Sequence, residues 1–468
     1  MRQSLVREFS NLIERGRDRQ LRLAVTGLSR AGKTAFLTSL VHQLRHAGLE
    51  ARLDLLPCAR DGRLLGARRV AQADLGVPRF PYDPAIAALD GTPPRWPEPT
   101  RGISELRLQI RYRPERQGLR GAFVGDSATL TLDLFDYPGE WLLDLPLLEH
   151  DFLSWSERQQ AALTPARREL AEDWLAAVGE LAPDAVADEA RLADIAERYA
   201  SGLRAAREAG FADLQPGRFL LPGDLAGAPV LQFFPLPGIG EADRERLASL
   251  PEESVYRTLA RRFAHYQQHV VKPFYREHFR RFDRQIVLVD VLGALNAGPE
   301  RFEDLSRALA TLMKSFDYGK RSLLSRLFAP RIDRLAIAAT KADHVTPEQH
   351  ANLIALLEAL LAEPIQDLRF ADVPVKALSL ASIRATRVHD VERDGRRTPA
   401  LRGTTLAGEE TLLFPGEVPA QLPDHDFWAR QGFTFEAFRP LSRETRGEGL
   451  PHIRMDAALD WLIGDKLT

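Results

Sequence analysis

Gly27-Leu28-Ser29-Arg30-Ala31-Gly32-Lys33-Thr34 decides how this 468-residue chain is read. The stretch fits G-x-x-x-x-G-K-[ST] without a mismatch, and its surroundings fit as well. The apolar run Leu21–Thr26 before it reads as a strand; Phe36, Leu37, Leu40, Val41 and Leu44 after it share one face of a helix. Glycines let the main chain turn sharply, so that successive N–H groups converge on phosphate oxygens. Lys33 is placed to neutralise the β- and γ-phosphates and the Thr34 hydroxyl to ligate Mg²⁺, while the helix N-terminus adds its partial positive charge. Ser29, Arg30, Ala31, Gly32, Lys33, Thr34 and Ala35 are the expected phosphate-binding set. The competing reading, a chance match on an ordinary strand–turn–helix, is disfavoured by that flanking context.

Outward from this loop, six β-branched or leucine-rich runs predict strands: Leu21–Thr26, Ser104–Tyr112, Ala128–Phe135, Gln285–Leu292, Arg334–Thr340 and Val373–Leu380. Ile286-Val287-Leu288-Val289 and Leu335-Ala336-Ile337-Ala338-Ala339 are continuously apolar, as strands buried on both faces of a parallel sheet are. Strands alternating with helices predict a doubly wound α/β core with a mostly parallel six-stranded sheet. Three helical series interrupt it: Leu170, Trp174, Leu175 and Val178; Leu192, Ile195, Tyr199 and Leu203; Leu259, Phe263, Tyr266 and Val270. The last runs towards Pro273, a residue that kinks or restarts a helix. The expected organisation is an N-terminal amphipathic helix (1–19), a first core part (20–140), a helical insertion (141–284), a second core part (285–386), a loop and strand insertion (387–448) and a closing helix (449–468).

Three further elements follow the loop in order. Asp136-Tyr137-Pro138-Gly139 ends the third predicted strand, where a carboxylate holds Mg²⁺, usually through water, and the Gly139 amide meets a γ-phosphate. Its bland alternative is a plain turn, since Pro and Gly are turn residues. Thr340-Lys341-Ala342-Asp343 ends the fifth: Asp343 suits the N1–H and exocyclic amine of guanine, a donor pair adenine lacks, and the Lys341 stem suits the base plane. Ala381 and Ser382, after the sixth strand, are candidates to touch the guanine O6 with their main chain. Thr100 is the expected switch threonine, ligating Mg²⁺ through its hydroxyl and the γ-phosphate through its amide, with Thr92 as the rival. Pro78 to Gly102 reads as a mobile loop around them.

This order of motifs resembles that of Ras-like GTPases, and the chain is similar in particular to the YcjX-like family of bacterial P-loop GTPases. Besides the phosphate loop, the matching text is Asp136-Tyr137-Pro138-Gly139-Glu140-Trp141, Val289-Asp290-Val291-Leu292-Gly293-Ala294-Leu295-Asn296 and Ala381-Ser382-Ile383-Arg384-Ala385-Thr386. The resemblance spans nearly the whole chain and implies a Ras-like P-loop fold, GTP/GDP and Mg²⁺ as ligands, and a GTPase of unsettled cellular role linked to stress responses. Two departures stand out. Many small GTPases carry a glutamine after Asp-x-x-Gly to orient the attacking water; Glu140 stands here. A carboxylate accepts a hydrogen bond from water but is repelled by a triphosphate, so hydrolysis is expected to be slow. Arg30 inside the loop is a candidate charge clamp in cis, with a solvent-facing side chain as the alternative.

Composition bounds the rest. The chain carries 63 Lys and Arg against 65 Asp and Glu, a net charge of −2, which argues for no nucleic-acid partner. A single cysteine, Cys58, excludes an intrachain disulfide framework and fits a reducing compartment. No apolar leader and no stretch of about 18 apolar residues stands out, so a cytoplasmic protein is expected. Leu5, Phe9, Leu12 and Ile13 with Arg2, Arg7, Arg15 and Arg17 form an amphipathic face; packing on the chain's own domain is the favoured reading, and a peripheral contact at the inner membrane the alternative. Lys320–Arg326 invites the same two readings. The histidine pairs His42/His46 and His265/His269 lack a third zinc ligand, and no Gly-x-Ser-x-Gly elbow supports serine hydrolysis. Effector, activating protein and oligomeric state leave no mark that this reading identifies. An ATPase and a nucleotide-gated scaffold with negligible turnover are the rival functions.

Overall fold

A computed structural model describes residues 19–47, 53–99, 102–115, 126–316, 332–393, 396–430, 436–442 and 449–468. The chain divides into two compact units, one of residues 1–137, 282–296 and 331–468, the other of 138–281 and 297–330. Of the stretch expected to form the second core part, the described residues 297–316 fall in the second unit.

The first unit holds a sheet of seven strands, one more than expected. They are β1 (Arg19–Gly27), β2 (Leu64–Val70), β3 (Ser104–Tyr112), β4 (Ala128–Asp136), β5 (Arg284–Val289), β6 (Arg334–Ala339) and β7 (Val375–Ser379), in the order β2-β3-β4-β1-β5-β6-β7. β1 pairs in parallel with β4 and β5, and β5, β6 and β7 continue in parallel. β2, β3 and β4 pair antiparallel. The unexpected strand, β2, is an edge: its Arg68 and Arg69 and the irregular register at Gly66 hide the apolar alternation, as edge strands do. β5 is buried along its whole length, which is why its sequence shows no alternation. That strand ends at Val289, and the helix Val291–Ala297 takes up the residues expected to extend it.

Two helices cover the sheet and fix the loop between them. Lys33–Arg45 buries Phe36, Leu37, Leu40, Val41 and Leu44; Met455–Ile463 buries Met455, Ala458, Leu459, Leu462 and Ile463 in the same core. At roughly 1.5–3 kcal/mol for each large apolar side chain removed from water, each helix is held by about 10 kcal/mol of gross burial. Arg284, at the start of β5, donates to Asp333 (2.7 Å), to Asp465 (2.5 and 2.7 Å) and to the Leu462 carbonyl (2.7 Å), tying the sheet to the closing helix. Within Pro78 to Gly102 an eight-residue helix, Tyr82–Leu89, packs through Tyr82, Ala85 and Leu89, so this stretch is not one continuous loop. A separate antiparallel sheet of β8 (Thr386–Arg393), β9 (Arg396–Thr404) and β10 (Glu410–Leu413) fills part of 387–448. Residues 1–18 and Lys320–Arg326, for which membrane contact was weighed, lie outside the described residues.

The second unit is helical. Glu189–Glu208, capped by Asp188 through the Arg191 amide (2.8 Å), buries Leu192, Ile195, Tyr199 and Leu203. Val255–Tyr266 buries Leu259, Phe263 and Tyr266, then passes through a π-turn, Gln267–Val271, into Lys272–Glu277. Pro273 is the second residue of that last helix, directly after the π-turn. Trp155 stacks on Phe263 with ring centroids 5.0 Å apart and meets Phe233 edge-on at 5.4 Å, an aromatic core for the bundle.

Candidate nucleotide site

The loop leaves the carboxyl end of β1, with β4 on one side and β5 on the other. Open α/β sheets bind ligands at such a point, where successive connections run to opposite sides. Gly27 is required for space: a Cβ there would lie 2.5 Å from the Leu288 carbonyl oxygen of β5. Gly32 is required for conformation, since its φ is 86° with nothing near an added Cβ. Arg30 also adopts a left-handed backbone, φ 63°, and its side chain is exposed. Successive peptides of alternating hand turn their amides inward and form an anion-binding hollow. The helix Lys33–Arg45 has no side-chain cap and no acidic residue in its first turn, which leaves its N-terminal amides and dipole for an anion. The Lys33 ammonium donates to the Gly27 carbonyl (2.6 Å) and reaches that of Leu28 (3.5 Å), so the side chain lies back across the loop. Ala31 and Thr34 are buried, and Ser29 and Ala35 half-buried.

Asp136, the last residue of β4, is buried beside Val25 of β1, two residues before Gly27. Tyr137 follows it into the core: its ring stacks on Phe282 with centroids 5.6 Å apart, and its hydroxyl accepts from the Gln285 side-chain amide. Burial, partly opposed by hydrogen bonds to Thr26 and Gln285, raises its pKa well above the usual tyrosine value, so it stays neutral. The contact between Tyr137 and Gln285 escaped the sequence reading because nothing local links residues so far apart. Gly139 and Glu140 belong to the second unit and begin the 3₁₀ segment Gly139–Glu149. Glu140 is buried, and its Oε2 has no hydrogen-bond partner among the described residues.

The end of β6 carries the base-reading candidates. Lys341 adopts a left-handed backbone, φ 60°, and its ammonium forms an ion pair with Asp290, just past β5. Asp343 is only 3% exposed. It accepts from the Ala385 amide at 2.6 Å and from His344 Nδ1 at 3.2 Å. Burial works to raise its pKa, but the His344 charge and hydrogen bond and the Ala385 amide prevail and hold it below the ordinary carboxylate value. A carboxylate offers about four lone-pair positions, so roughly two remain for a ligand. Ala381 exchanges both main-chain hydrogen bonds with Ile453 (3.1 and 2.8 Å), which commits its amide and leaves Ser382 as the better of the two O6 candidates.

The first unit therefore gathers Ser29 to Ala35, Asp136, Lys341, Asp343, Ala381 and Ser382 at the carboxyl ends of β1, β4, β6 and β7. Thr100 lies outside the described residues; Thr92, its rival, is exposed. The His42 and His46 rings stack 4.1 Å apart, as do those of His265 and His269 at 3.9 Å, and His46 and His269 each have Nδ1 on a main-chain carbonyl. Among the described residues no three His, Cys, Asp or Glu side chains cluster as a metal cage, and no helix is long and apolar enough to cross a membrane.

Known proteins match over this whole length. The family model of the YcjX-like family, DUF463, matches residues 21–467. The chain is 51% identical over 464 residues to the Ras-like GTPase YcjX of Escherichia coli (strain K12), with 99% of each chain covered. It is 44% identical over 476 residues to the Ras-like GTPase YcjX of Shewanella oneidensis, covering 99% of this chain and 98% of that one.

Proposed function

The chain belongs to the YcjX-like family, and from that premise we propose that it is a guanine-nucleotide switch that binds GTP with Mg²⁺ and hydrolyses it slowly to GDP and phosphate. The observation that carries this is the loop at β1: Arg30 and Gly32 left-handed, an uncapped helix N-terminus behind them, and Lys33 lying across the hollow. Phosphate oxygens would take over the contacts that Lys33 now makes with the Gly27 and Leu28 carbonyls. Asp343 gives the base preference, because a base without two donors leaves a buried carboxylate short of partners.

The residues present fit Mg²⁺: Thr34 would offer a hydroxyl and Asp136 a carboxylate, hard oxygen donors of the kind that ion takes. The ion supplies charge neutralisation for the β- and γ-phosphates. Thr100, or Thr92, is the switch threonine of this reading. Glu140, the residue after Asp136-x-x-Gly139, is the water-positioning residue of this reading. The same carboxylate favours the second reading, a nucleotide-gated scaffold that scarcely turns over, because its charge opposes a triphosphate. The helical unit is the effector or self-regulating part.

Titration with mant-GTP and mant-ATP in magnesium buffer tests the proposal. Preferential GTP binding with slow phosphate release is the expected result. Equal binding of both would replace it with an ATPase reading, and GTP binding without release over hours would leave the scaffold.

A further inference from the structure

We infer that Asp290 positions Lys341 as a preformed shelf for the nucleotide base, an inference that rests on the guanine-nucleotide reading above. Asp290 and Lys341 follow neighbouring parallel strands whose last paired residues are Val289 and Ala339. The Thr340 amide and hydroxyl both donate to the Val289 carbonyl, at 2.9 and 3.2 Å, so the two strand ends cannot slide. Lys341 then leaves the sheet with φ 60°, pinned by the Ala342 amide on the Leu380 carbonyl (3.1 Å) and by its own carbonyl, which accepts from the His344 amide at 2.8 Å. At the other end of the side chain the ammonium pairs with Asp290. The stem is thus held at both ends.

Asp290 is itself held. Its Oδ1 accepts from the Gly293 amide at 2.9 Å, at the start of Val291–Ala297. A Cβ on Gly293 would lie 2.6 Å from Oδ2 and 2.9 Å from the carboxyl carbon, so only glycine leaves the carboxylate where the ammonium meets it. The pair is neither surface decoration nor core: the side chains are 14% and 38% exposed. A purine needs a flat apolar surface beneath it rather than a second cation, since Lys33 already serves the phosphates. Neutralising Lys341 and stretching its four-carbon stem supplies that surface, and the rotamer entropy that a free lysine would lose on binding is lost beforehand. Asp343, two residues on, then meets the base edge.

The test uses the full chain and mant-GDP, mant-GTP and mant-ADP titrations of wild type, Asp290→Asn, Lys341→Met and the double variant. Asp290→Asn should weaken GDP and GTP by the same factor, about tenfold. The double variant should be no weaker than Lys341→Met alone, because Asp290 acts through the lysine. Gly293→Ala, which displaces the carboxylate without changing charge, should weaken GDP comparably while the nucleotide-free protein melts within a few degrees of wild type. Wild-type affinity in Asp290→Asn or Gly293→Ala, or a full Asp290→Asn effect persisting beside Lys341→Met, overturns the inference. Equal wild-type affinity for mant-GDP and mant-ADP would instead sink the guanine reading. The shelf would then be decided by whether Asp290→Asn weakens both purine nucleotides through Lys341.

Discussion

Asp343→Asn separates base recognition from mere folding of the β6 turn. Asp343 uses about two of its four acceptor positions inside the protein, on the Ala385 amide at 2.6 Å and on His344 Nδ1 at 3.2 Å. Asparagine keeps an oxygen for the Ala385 amide, whose loss would leave a buried donor costing about 1–3 kcal/mol. Its –NH₂ group, however, faces the donors of guanine and accepts nothing. Two hydrogen bonds to a charged acceptor are each worth roughly 1.5–3 kcal/mol, so the guanine edge should lose about 3–6 kcal/mol. At about 1.4 kcal/mol per decade, that is on the order of a hundred- to ten-thousandfold in Kd for GDP. Isothermal titration calorimetry with GDP, and with ADP as the reference, reads the change directly. ADP affinity should not move, and the nucleotide-free protein should still unfold cooperatively. The depressed pKa of Asp343 adds a constraint: its ionised form is favoured by the fold, so its contribution is complete above 3.8 and fades only as pH falls below that. The wild-type to variant ratio should therefore be constant between about pH 6 and 8. A variant that binds GDP within threefold of wild type would refute the assignment of Asp343 to guanine.

Two other outcomes follow from single residues. Arg30→Ala should slow single-turnover GTP hydrolysis while GDP affinity stays nearly intact, because the exposed guanidinium is available to a transition-state charge and makes no contact that the loop needs; an unchanged rate in rapid-quench assays discards the clamp. In the second unit, burial, opposed by the Tyr266 hydroxyl and the Gly217 and Arg218 amides, lifts the Asp144 pKa from 3.8 to about 6. The fold thus favours its protonated form, whose stabilisation is complete below about 3.8 and is lost as pH rises through about 6. Asp144→Asn, which cannot ionise, should gain on wild type by up to roughly 3 kcal/mol between about pH 4.5 and 8 in urea unfolding followed by tryptophan fluorescence. A difference that does not vary with pH would show that Asp144 titrates as an exposed carboxylate.

Much of this molecule was legible in one dimension. The glycine loop at Gly27, the buried runs of β5 and β6, and the helical faces at Leu192 to Leu203 and Leu259 to Val270 are local patterns. Backbone geometry and 3.6- or 2-residue periodicity write such patterns into short windows, and the structure places the elements where those windows lie. β2 was illegible because an edge strand tolerates Arg68 and Arg69, and two charges in a row erase the alternation. The strand expected to run on to Leu292 stops at Val289 because Asp290 accepts the Gly293 amide and starts a helix, a choice that apolar content does not express.

The sequence alone determined that a glycine loop fitting G-x-x-x-x-G-K-[ST] begins at Gly27 and that Asp136, Lys341 and Asp343 stand at or just past the ends of later strands, in the order of the proposed site. Tertiary structure alone decided who meets whom: Lys341 with Asp290 across 51 positions, Asp343 with Ala385 across 42, and residues 297–316 with the helical unit rather than the sheet. The reason is physical. Propensity and periodicity act between neighbours along the chain, whereas an ion pair or a buried acceptor is satisfied by whatever donor the packed strands bring within about 3 Å, however far away in sequence that donor was made.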